Sequence, residues 1–259
     1  MTARITGTPD TLDSQVVLVT GASRGLGAAI ARAFVREGSR VVVNHLTTDP
    51  ADLVAELGSN ALALRADVTD ATQVEEMLTT AAEHFAEPVT TVINNALPTF
   101  TFNGDARPRG DVIAWDAIDQ QLGAVRAALH TVQAALPAMR AARSGRVINI
   151  GTNLVQNPVV PYHDYTAAKA ALLGLTRTLA AELGPDGVRV NMVSGGLLRT
   201  TDASAATPDT VFDYIAANTP LRRVVTPDEM ADAVIFLASP WSRAMTGQNL
   251  VIDGGLVMN

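Results

Sequence analysis

The chain has no cysteine and few aromatic residues, and both shortages exclude whole classes of protein. Without cysteine there are no disulfides, no catalytic thiolate and no cysteine-ligated zinc. Aromatic residues make up 4% of the 259 residues and hydrophobic residues 47%, so the apolar content is mainly Ala, Val, Leu and Ile. Aliphatic strands that are buried on both faces have this composition, and it argues against disorder.

Clusters of positive charge and long apolar runs are also missing. The net charge is −7 without a Lys/Arg cluster, which argues against nucleic acid as the main partner. No apolar run approaches the roughly 20 residues of a membrane span. The polar N-terminus, MTARITGTPDTLDSQ, lacks the apolar core of a signal peptide. We therefore expect a cytoplasmic protein without a membrane partner. The four histidines have no metal-ligand spacing, so no metal site is expected.

Short aliphatic runs alternate with longer helical patterns along the chain. The strand-length runs are Val16–Thr20, Arg40–Asn44, Ala61–Ala66, Thr90–Asn94, Arg146–Ile150, Val188–Val193 and Asn249–Ile252. Candidate helices lie near residues 25–37, 50–58, 70–86, 111–142, 162–184 and 227–239. This alternation predicts an α/β fold: a doubly wound, parallel, seven-stranded Rossmann-type sheet with helices on both faces, in a single domain 1–259.

Local signals mark two helix starts and one irregular region. Asp70 is typical of an N-cap, and Thr226-Pro227-Asp228-Glu229 of an N-cap, an N1 proline and a reciprocal acid at N3. The region 194–225 is rich in Gly, Thr, Ala and Pro and has little periodicity. We expect it to be a substrate lid or loop insertion.

A glycine-rich turn directly follows the first strand and precedes a helical segment. Backbone N–H groups at such a helix start face a ligand with the positive end of the helix dipole, so a pyrophosphate can bind there. The strand–turn–helix context favours a dinucleotide site over an ordinary flexible helix start. The expected cofactor-binding residues of the turn are Gly21, Ser23, Arg24, Gly25, Leu26 and Gly27.

Further motifs follow the turn in a fixed order. They are Asp67-Val68, Asn94-Asn95-Ala96, Tyr165-Thr166-Ala167-Ala168-Lys169, the segment Gly196 to Thr200, and Asp253-Gly254-Gly255. With the GxxxGxG spacing of the turn, this series resembles the short-chain dehydrogenase/reductase family, in particular its 3-oxoacyl-acyl-carrier-protein reductases, from about Ser14 to Met258. The resemblance implies cofactor contacts at Asp67, Val68, Asn94, Asn95, Ala96, Tyr165, Lys169, Gly196, Leu198 and Thr200.

Tyr165 and Lys169 are four positions apart on a predicted helix, so both side chains lie on one face. A tyrosine hydroxyl titrates near 10, and a nearby ammonium, together with the positive nicotinamide of the oxidised cofactor, is expected to lower that pKa. The resemblance implies that Tyr165 donates a proton to the carbonyl oxygen and that Lys169 bonds the nicotinamide ribose. Thr152 stands where the family has its catalytic serine and keeps the hydroxyl. The alternative is a strand-end threonine without a role.

The chain departs from the family pattern at three places. No Asn is present where the family's long helix carries a relay Asn; Gln121 is the nearest polar candidate, although an ungapped count from Trp115 lands on Leu122. Leu97 replaces the glycine of the NNAG motif, and Gly195-Gly196 replaces Pro-Gly. The candidate substrate-pocket residues are Leu97, Phe100, Phe102, Asn153, Gln156, Tyr162 and His163, of which His163 is equally compatible with a solvated loop.

The choice of cofactor depends on the end of the second strand. That strand ends in Asn44-His45-Leu46, with no acid before Asp49 to bind the ribose 2′-OH of NAD and repel a 2′-phosphate. Arg24 can reach a 2′-phosphate, or it simply points to solvent. We expect NADP(H), with Asn44, His45 and Leu46 at its adenosine end.

Together these features predict an NADP(H)-dependent oxidoreductase that reduces a ketone to a secondary alcohol. The substrate is expected to be a 3-oxoacyl or related carbonyl compound, either a small molecule or carrier-bound. Three alternatives stay open: a catalytically silent dinucleotide-binding sensor or scaffold, an alcohol dehydrogenase acting on a secondary metabolite, and a dehydratase or epimerase. The resemblance also implies a homotetramer, with a dimer as the fallback, formed through the helices that carry Gln121 and Lys169.

Overall fold

The computed structural model describes residues 11–103, 106–199, 201, 204–205 and 207–258. Its strands are β1 (Val16–Val19), β2 (Arg40–His45), β3 (Ala61–Arg65), β4 (Thr91–Asn94), β5 (Gly145–Thr152), β6 (Val188–Gly195) and β7 (Asn249–Ile252). They form one parallel sheet in the order β3-β2-β1-β4-β5-β6-β7. The chain therefore winds outward from β1 in both directions, which confirms the predicted doubly wound fold.

Helices cover both faces of this sheet. They are α1 (Gly25–Arg36), α2 (Ala51–Leu57), α3 (Ala71–Phe85), α4 (Trp115–Ala142), α5 (His163–Leu183), α6 (Asp209–Asn218) and α7 (Pro227–Ala238). Helices α1, α2 and α7 pack on one aliphatic core, and α3, α4 and α5 pack on the other. Alternate residues of β1 point into the two cores, as buried parallel strands require. None of the helices in the described ranges has the length and apolar character needed to cross a bilayer.

The two predicted helix starts are confirmed. Asp70 accepts hydrogen bonds from the backbone N–H groups of Thr72 and Gln73 at the start of α3. Thr226 and Glu229 form a reciprocal capping box at α7, with Pro227 at its first position. These caps satisfy backbone donors that have no partner within the helix.

The expectation that 194–225 is weakly structured is wrong for its second half, which contains α6. Leu198 and Val225 form a backbone bridge that closes the segment, and Arg199 pairs with Asp209 at 2.8 Å and lies 4.8 Å from the ring centroid of Phe212. The helix is only ten residues long and buries one side chain, Phe212, so tertiary contacts stabilise it more than its own periodicity does.

Helix α1 packs so closely on the glycine turn that no side chain fits at Gly27. A Cβ atom there would lie 2.4 Å from the carbonyl oxygen of Gly21 and 2.8 Å from the Cα of Ala22. Both neighbours are backbone atoms and cannot rotate away. The third glycine of the motif is therefore a packing requirement of the strand–turn–helix unit.

We expect Gly27→Ala to lower the free energy of unfolding by about 2–3 kcal/mol, since its Cβ must displace backbone. Gly184→Ala is the matched control, because Gly184 has helical φ and ψ of −53° and −44° and open space around its Cβ. That control should change the free energy of unfolding by less than about 1 kcal/mol, because the entropy gained by replacing glycine is offset by the cost of a Cβ in the helical region before Pro185. Chemical denaturation measures both, and equal effects would contradict the close-packing account.

Candidate active site and cofactor site

The predicted functional residues gather at the carboxyl edge of the sheet. The chain reverses its winding direction between β1 and β4, and a crevice at this position is where open α/β sheets bind ligands. The glycine turn follows β1, and Asn95 follows β4. Thr152 ends β5, and α5 after it carries Tyr165 and Lys169.

Three polar side chains hold the glycine turn in place. Asn44 accepts a hydrogen bond from the N–H of Gly21 at 3.1 Å. Asn95 donates to the carbonyl oxygens of Thr20 and Gly21 at 2.9 and 3.1 Å. The Thr20 hydroxyl accepts from the N–H groups of Asn95 and Ala96, both at 2.9 Å. The turn is thus fixed before any ligand binds.

The start of α1 fits a pyrophosphate. Arg24 occupies the N-cap position but makes no side-chain capping hydrogen bond, so the first N–H groups of the helix stay available to an anion. Gly25 has a φ of +56°, and the nearest atom to a Cβ there is the Cβ of Thr201, at 3.7 Å. Ser23 and Leu26 are half-buried beside it. The segment Gly196 to Thr201 thus reaches this turn, although Thr200 itself lies outside the described residues.

Asn44 and Asn94 were both expected to contact the cofactor, but their side chains point into the protein. Asn44 is 2% exposed and donates to the carbonyl oxygen of Ala66 at 3.1 Å. Asn94 donates to Asn149 at 2.9 Å and accepts from Thr131 at 2.7 Å. A buried amide must satisfy its hydrogen bonds locally, so these two residues position the backbone around the site.

One cation near the end of β2 is not predicted from the sequence. Arg65 is the last residue of β3, lies in register with His45 and donates from Nε to the carbonyl oxygen of Leu46 at 3.0 Å. Leu46 is exposed, and Arg24 is exposed on the first turn. Arg65 could have been found from the sequence, because it lies at the carboxyl end of a predicted strand that neighbours the second strand.

Asp67 and Val68 follow β3, on the same side of the sheet. The Asp67 carboxylate accepts from the N–H and hydroxyl of Thr69 at 2.9 and 2.7 Å, and Val68 is buried. These bonds fix the turn into α3 and hold the backbone of Asp67 at the crevice. An adenine contact at this position stays a prediction.

Tyr165, Lys169 and Thr152 come together as the sequence predicts. The Nζ of Lys169 lies 5.6 Å from the ring centroid of Tyr165 and donates to the carbonyl oxygen of Ile150 at 2.7 Å. The hydroxyl of Thr152 hydrogen-bonds that of Tyr165. Tyr165 is 9% exposed and Lys169 4%, so water is largely excluded from the pair.

Burial changes the acidities of both side chains. Burial raises the pKa of Tyr165 to about 12, and the hydrogen bond with Thr152 offsets only part of that effect. Burial also lowers the pKa of Lys169 to about 8. The expected lowering of the tyrosine pKa by the ammonium and the oxidised nicotinamide stays a prediction, because it concerns the complex with the cofactor. In the protein without cofactor, Tyr165 keeps its proton at neutral pH.

Gln121 fastens the segment between β4 and α4. Its Nε2 donates to the carbonyl oxygen of Thr99 at 3.1 Å, and its buried Oε1 has no hydrogen-bond partner within the described ranges. The neighbouring Leu122 is half-buried. Gln121 thus lies at the active-site loop, and a relay role for it stays a prediction.

The candidate pocket residues separate into two groups. The rings of Phe100, Phe102 and Tyr162 lie around Tyr165. Asn153 instead is buried and donates to Asp253 at 2.9 Å, so it ties the C-terminal turn to the end of β5 and does not line the pocket as expected. Leu97 and Gln156 are half-buried, and His163 is exposed.

Comparison with known proteins decides the family. A family model described as Enoyl-(Acyl carrier protein) reductase matches residues 21–257. The chain belongs to the short-chain dehydrogenase/reductase family. It is 36% identical over 256 residues to the 3-oxoacyl-[acyl-carrier-protein] reductase of Synechocystis sp., covering 95% of this chain and 98% of that protein.

The names of other similar members of the short-chain dehydrogenase/reductase family specify different substrates and cofactors. The L-rhamnose 1-dehydrogenase (NAD(P)(+)) of Azotobacter vinelandii is 34% identical, covering 96% of this chain and 98% of that protein. The crystal structure of 3-ketoacyl-(acyl-carrier-protein) reductase from Brucella melitensis complexed with NADH has a TM-score of 0.84 and 26% identity, covering 95% of this chain and 100% of that one. As a member of this family, the protein is an oxidoreductase that binds a nicotinamide dinucleotide.

The buried Lys169 predicts a pH-dependent stability difference. Its pKa falls from 10.5 in the unfolded chain to about 8 in the folded protein, so the unfolded state binds more protons between these values. Wild type should therefore gain stability as pH rises from about 8 to 10.5. At pH 7, Lys169→Met should be more stable than wild type by about 1–3 kcal/mol, and this difference should shrink by pH 10. Urea titrations at both pH values measure it, and a difference that does not change with pH would contradict the desolvation of Lys169.

Proposed function

We propose that this protein is an NADP(H)-dependent reductase that converts a ketone to a secondary alcohol, with Tyr165 as the proton donor. One observation carries the proposal. Tyr165 is buried, is hydrogen-bonded to Thr152, and lies at the same sheet edge as a preorganised glycine turn. The 3-oxoacyl-acyl-carrier-protein reductases among its relatives support a 3-oxoacyl or related ketone, free or carrier-bound.

Tyr165, Thr152 and Lys169 each have a different role in the proposed reduction. Bound NADPH supplies the hydride that reaches the carbonyl carbon. Tyr165 gives its proton to the carbonyl oxygen as the C–O bond gains negative charge, and Thr152 hydrogen-bonds at the same place. The product is the alcohol, and Tyr165 is left as phenolate. Lys169, the chain's only lysine, stabilises that anion while it carries its own proton.

Burial keeps Tyr165 protonated in the protein without cofactor, which is the form that a reductase needs when its ketone binds. A silent sensor or scaffold has no need of a buried tyrosine and lysine beside each other, since both side chains are costly to bury.

Two arginines support NADPH as the cofactor. Arg24 stands on the first turn of α1, and Arg65 is anchored at the end of β2 through the carbonyl oxygen of Leu46. No carboxylate stands among the last residues of β2, where an NAD enzyme of this fold holds the ribose 2′-OH. Guanidinium groups form charge-assisted hydrogen bonds to a phosphate, so they favour the cofactor that has one.

Removing the hydroxyl in Tyr165→Phe should lower kcat by about 10²–10⁴-fold and leave NADPH binding intact. We expect turnover to fall while NADPH binding stays intact, because the variant lacks only the hydroxyl that donates the proton and keeps the ring and its packing. Steady-state turnover of a ketone and NADPH fluorescence titration measure the two properties. Near-normal turnover in the variant would refute Tyr165 as the acid.

Arg24→Ala and Arg65→Ala should each reduce the NADPH-over-NADH preference in kcat/KM by about tenfold, mainly through a weaker KM for NADPH. NADH kinetics should change little, because NADH has no 2′-phosphate. Arg32→Ala, on the exposed side of α1 in a pair with Glu56, is the control. Wild-type preference for NADH, or variants that keep the wild-type ratio, would contradict the proposal.

We also propose a homotetramer. The outer surface of α5 exposes Ala167, Ala170, Ala171 and Gly174, and a Cβ at Gly174 would meet open space, so a second helix can approach closely. Light scattering at micromolar concentration should give four times the chain mass of 27.1 kDa, and Ala171→Arg should reduce it. A monomeric wild type would contradict the proposal.

A further inference from the structure

Aromatic rings are rare in this chain but gather at the catalytic tyrosine. The whole chain has 2 Trp, 3 Tyr and 6 Phe. The ring centroids of Phe100 and Phe102 lie 5.1 and 5.5 Å from that of Tyr165, and Tyr162 lies 5.2 Å from Phe100. Phe100, Phe102 and Tyr162, here called the aromatic roof, are only half-buried. The roof therefore packs on Tyr165 and still presents aromatic surface outside the core.

Two polar contacts hold the roof against the helix of the catalytic tyrosine. Arg107 forms an ion pair with Asp164, the residue before Tyr165, and its Cζ lies 4.3 Å from the ring centroid of Phe100. On the other side of Phe100, Gln121 holds the carbonyl oxygen of Thr99. A loop fixed at both sides of one ring is preorganised for binding, since little of its freedom is left to lose.

An apolar groove continues from the roof at Tyr162. Its volume is about 620 Å³, and its lining has no lysine, arginine or carboxylate and consists of Val155, the segment 158–163, Thr166, Ala167 and Ala170. Ala167 and Ala170 belong to the surface of α5 that the proposed tetramer covers, so the roof beside Tyr165 is the surface left for a substrate ring.

We propose, building on the reductase function above, that the substrate is a ketone on a flat fused-ring system that contains an aromatic ring. This ring lies against the roof. A linear 3-oxoacyl chain has no aromatic face beside its ketone. Edge-to-face and offset ring contacts favour an aromatic ligand over a saturated one by roughly two- to tenfold per contact.

The matched substrates 2-tetralone and 2-decalone test this proposal with NADPH. Both have an unconjugated ketone on the same fused-ring skeleton, and only the tetralone has an aromatic ring. Wild type should have a kcat/KM about fivefold or more higher for 2-tetralone.

Roof variants separate ring recognition from other effects. Phe100→Leu and Phe102→Leu should each reduce the tetralone-over-decalone preference, mainly through KM, while NADPH fluorescence titration confirms that each variant is folded. Phe236→Leu, on the exposed side of α7, is the control and should keep the preference. Two roof variants that both keep the wild-type preference would overturn the proposal.

The remaining outcomes distinguish the substrate class from the reductase function. A wild type that reduces acetoacetyl-CoA but neither ring ketone overturns the ring substrate and leaves the proposed reduction standing. A wild type that prefers 2-decalone, or that treats the two ring ketones equally, also overturns it. If the wild type reduces none of these ketones with NADPH, both proposals are overturned.

Discussion

Exclusion of water from Tyr165 and Lys169 is the constraint on which the rest of the site depends. Desolvation opposes both charges, so it raises the pKa of the tyrosine and lowers that of the lysine. The sheet end at Thr152, the face of α5 and the loop that carries Phe100 all contribute to this dry environment. The result is a tyrosine that holds its proton in the protein without cofactor, as the proposed reduction requires.

The glycine turn after β1 lies at the same edge of the sheet as Tyr165 and Lys169. Gly27 can approach the turn after β1 because it has no side chain, and Asn95 fastens that turn to the end of β4. The start of α1 and the strand that carries Thr152 thereby meet at one edge of the sheet. For the proposed reduction, this arrangement places the turn and the tyrosine before a cofactor and a ketone bind.

Local sequence patterns predicted most of this architecture because they have local physical causes. The aliphatic runs fixed all seven strands to within a few residues, and the spacing of Tyr165 and Lys169 fixed their common helix face. The failures arise from tertiary context. Helix α6 depends on packing, and the inward direction of Asn44 and Asn94 depends on partners distant in sequence. The roof and Arg65 are likewise visible only once the strand ends and loops are placed together.

The protonation state of Tyr165 tests the central claim most directly. Because the chain has only three tyrosines, the 295 nm absorbance of wild type minus that of Tyr165→Phe isolates its phenolate. Recorded within milliseconds of pH jumps, before unfolding, this difference should stay flat past pH 10 and rise with a midpoint near 12, as the pKa of about 12 requires. A midpoint at or below the ordinary tyrosine value of about 10 would contradict the account.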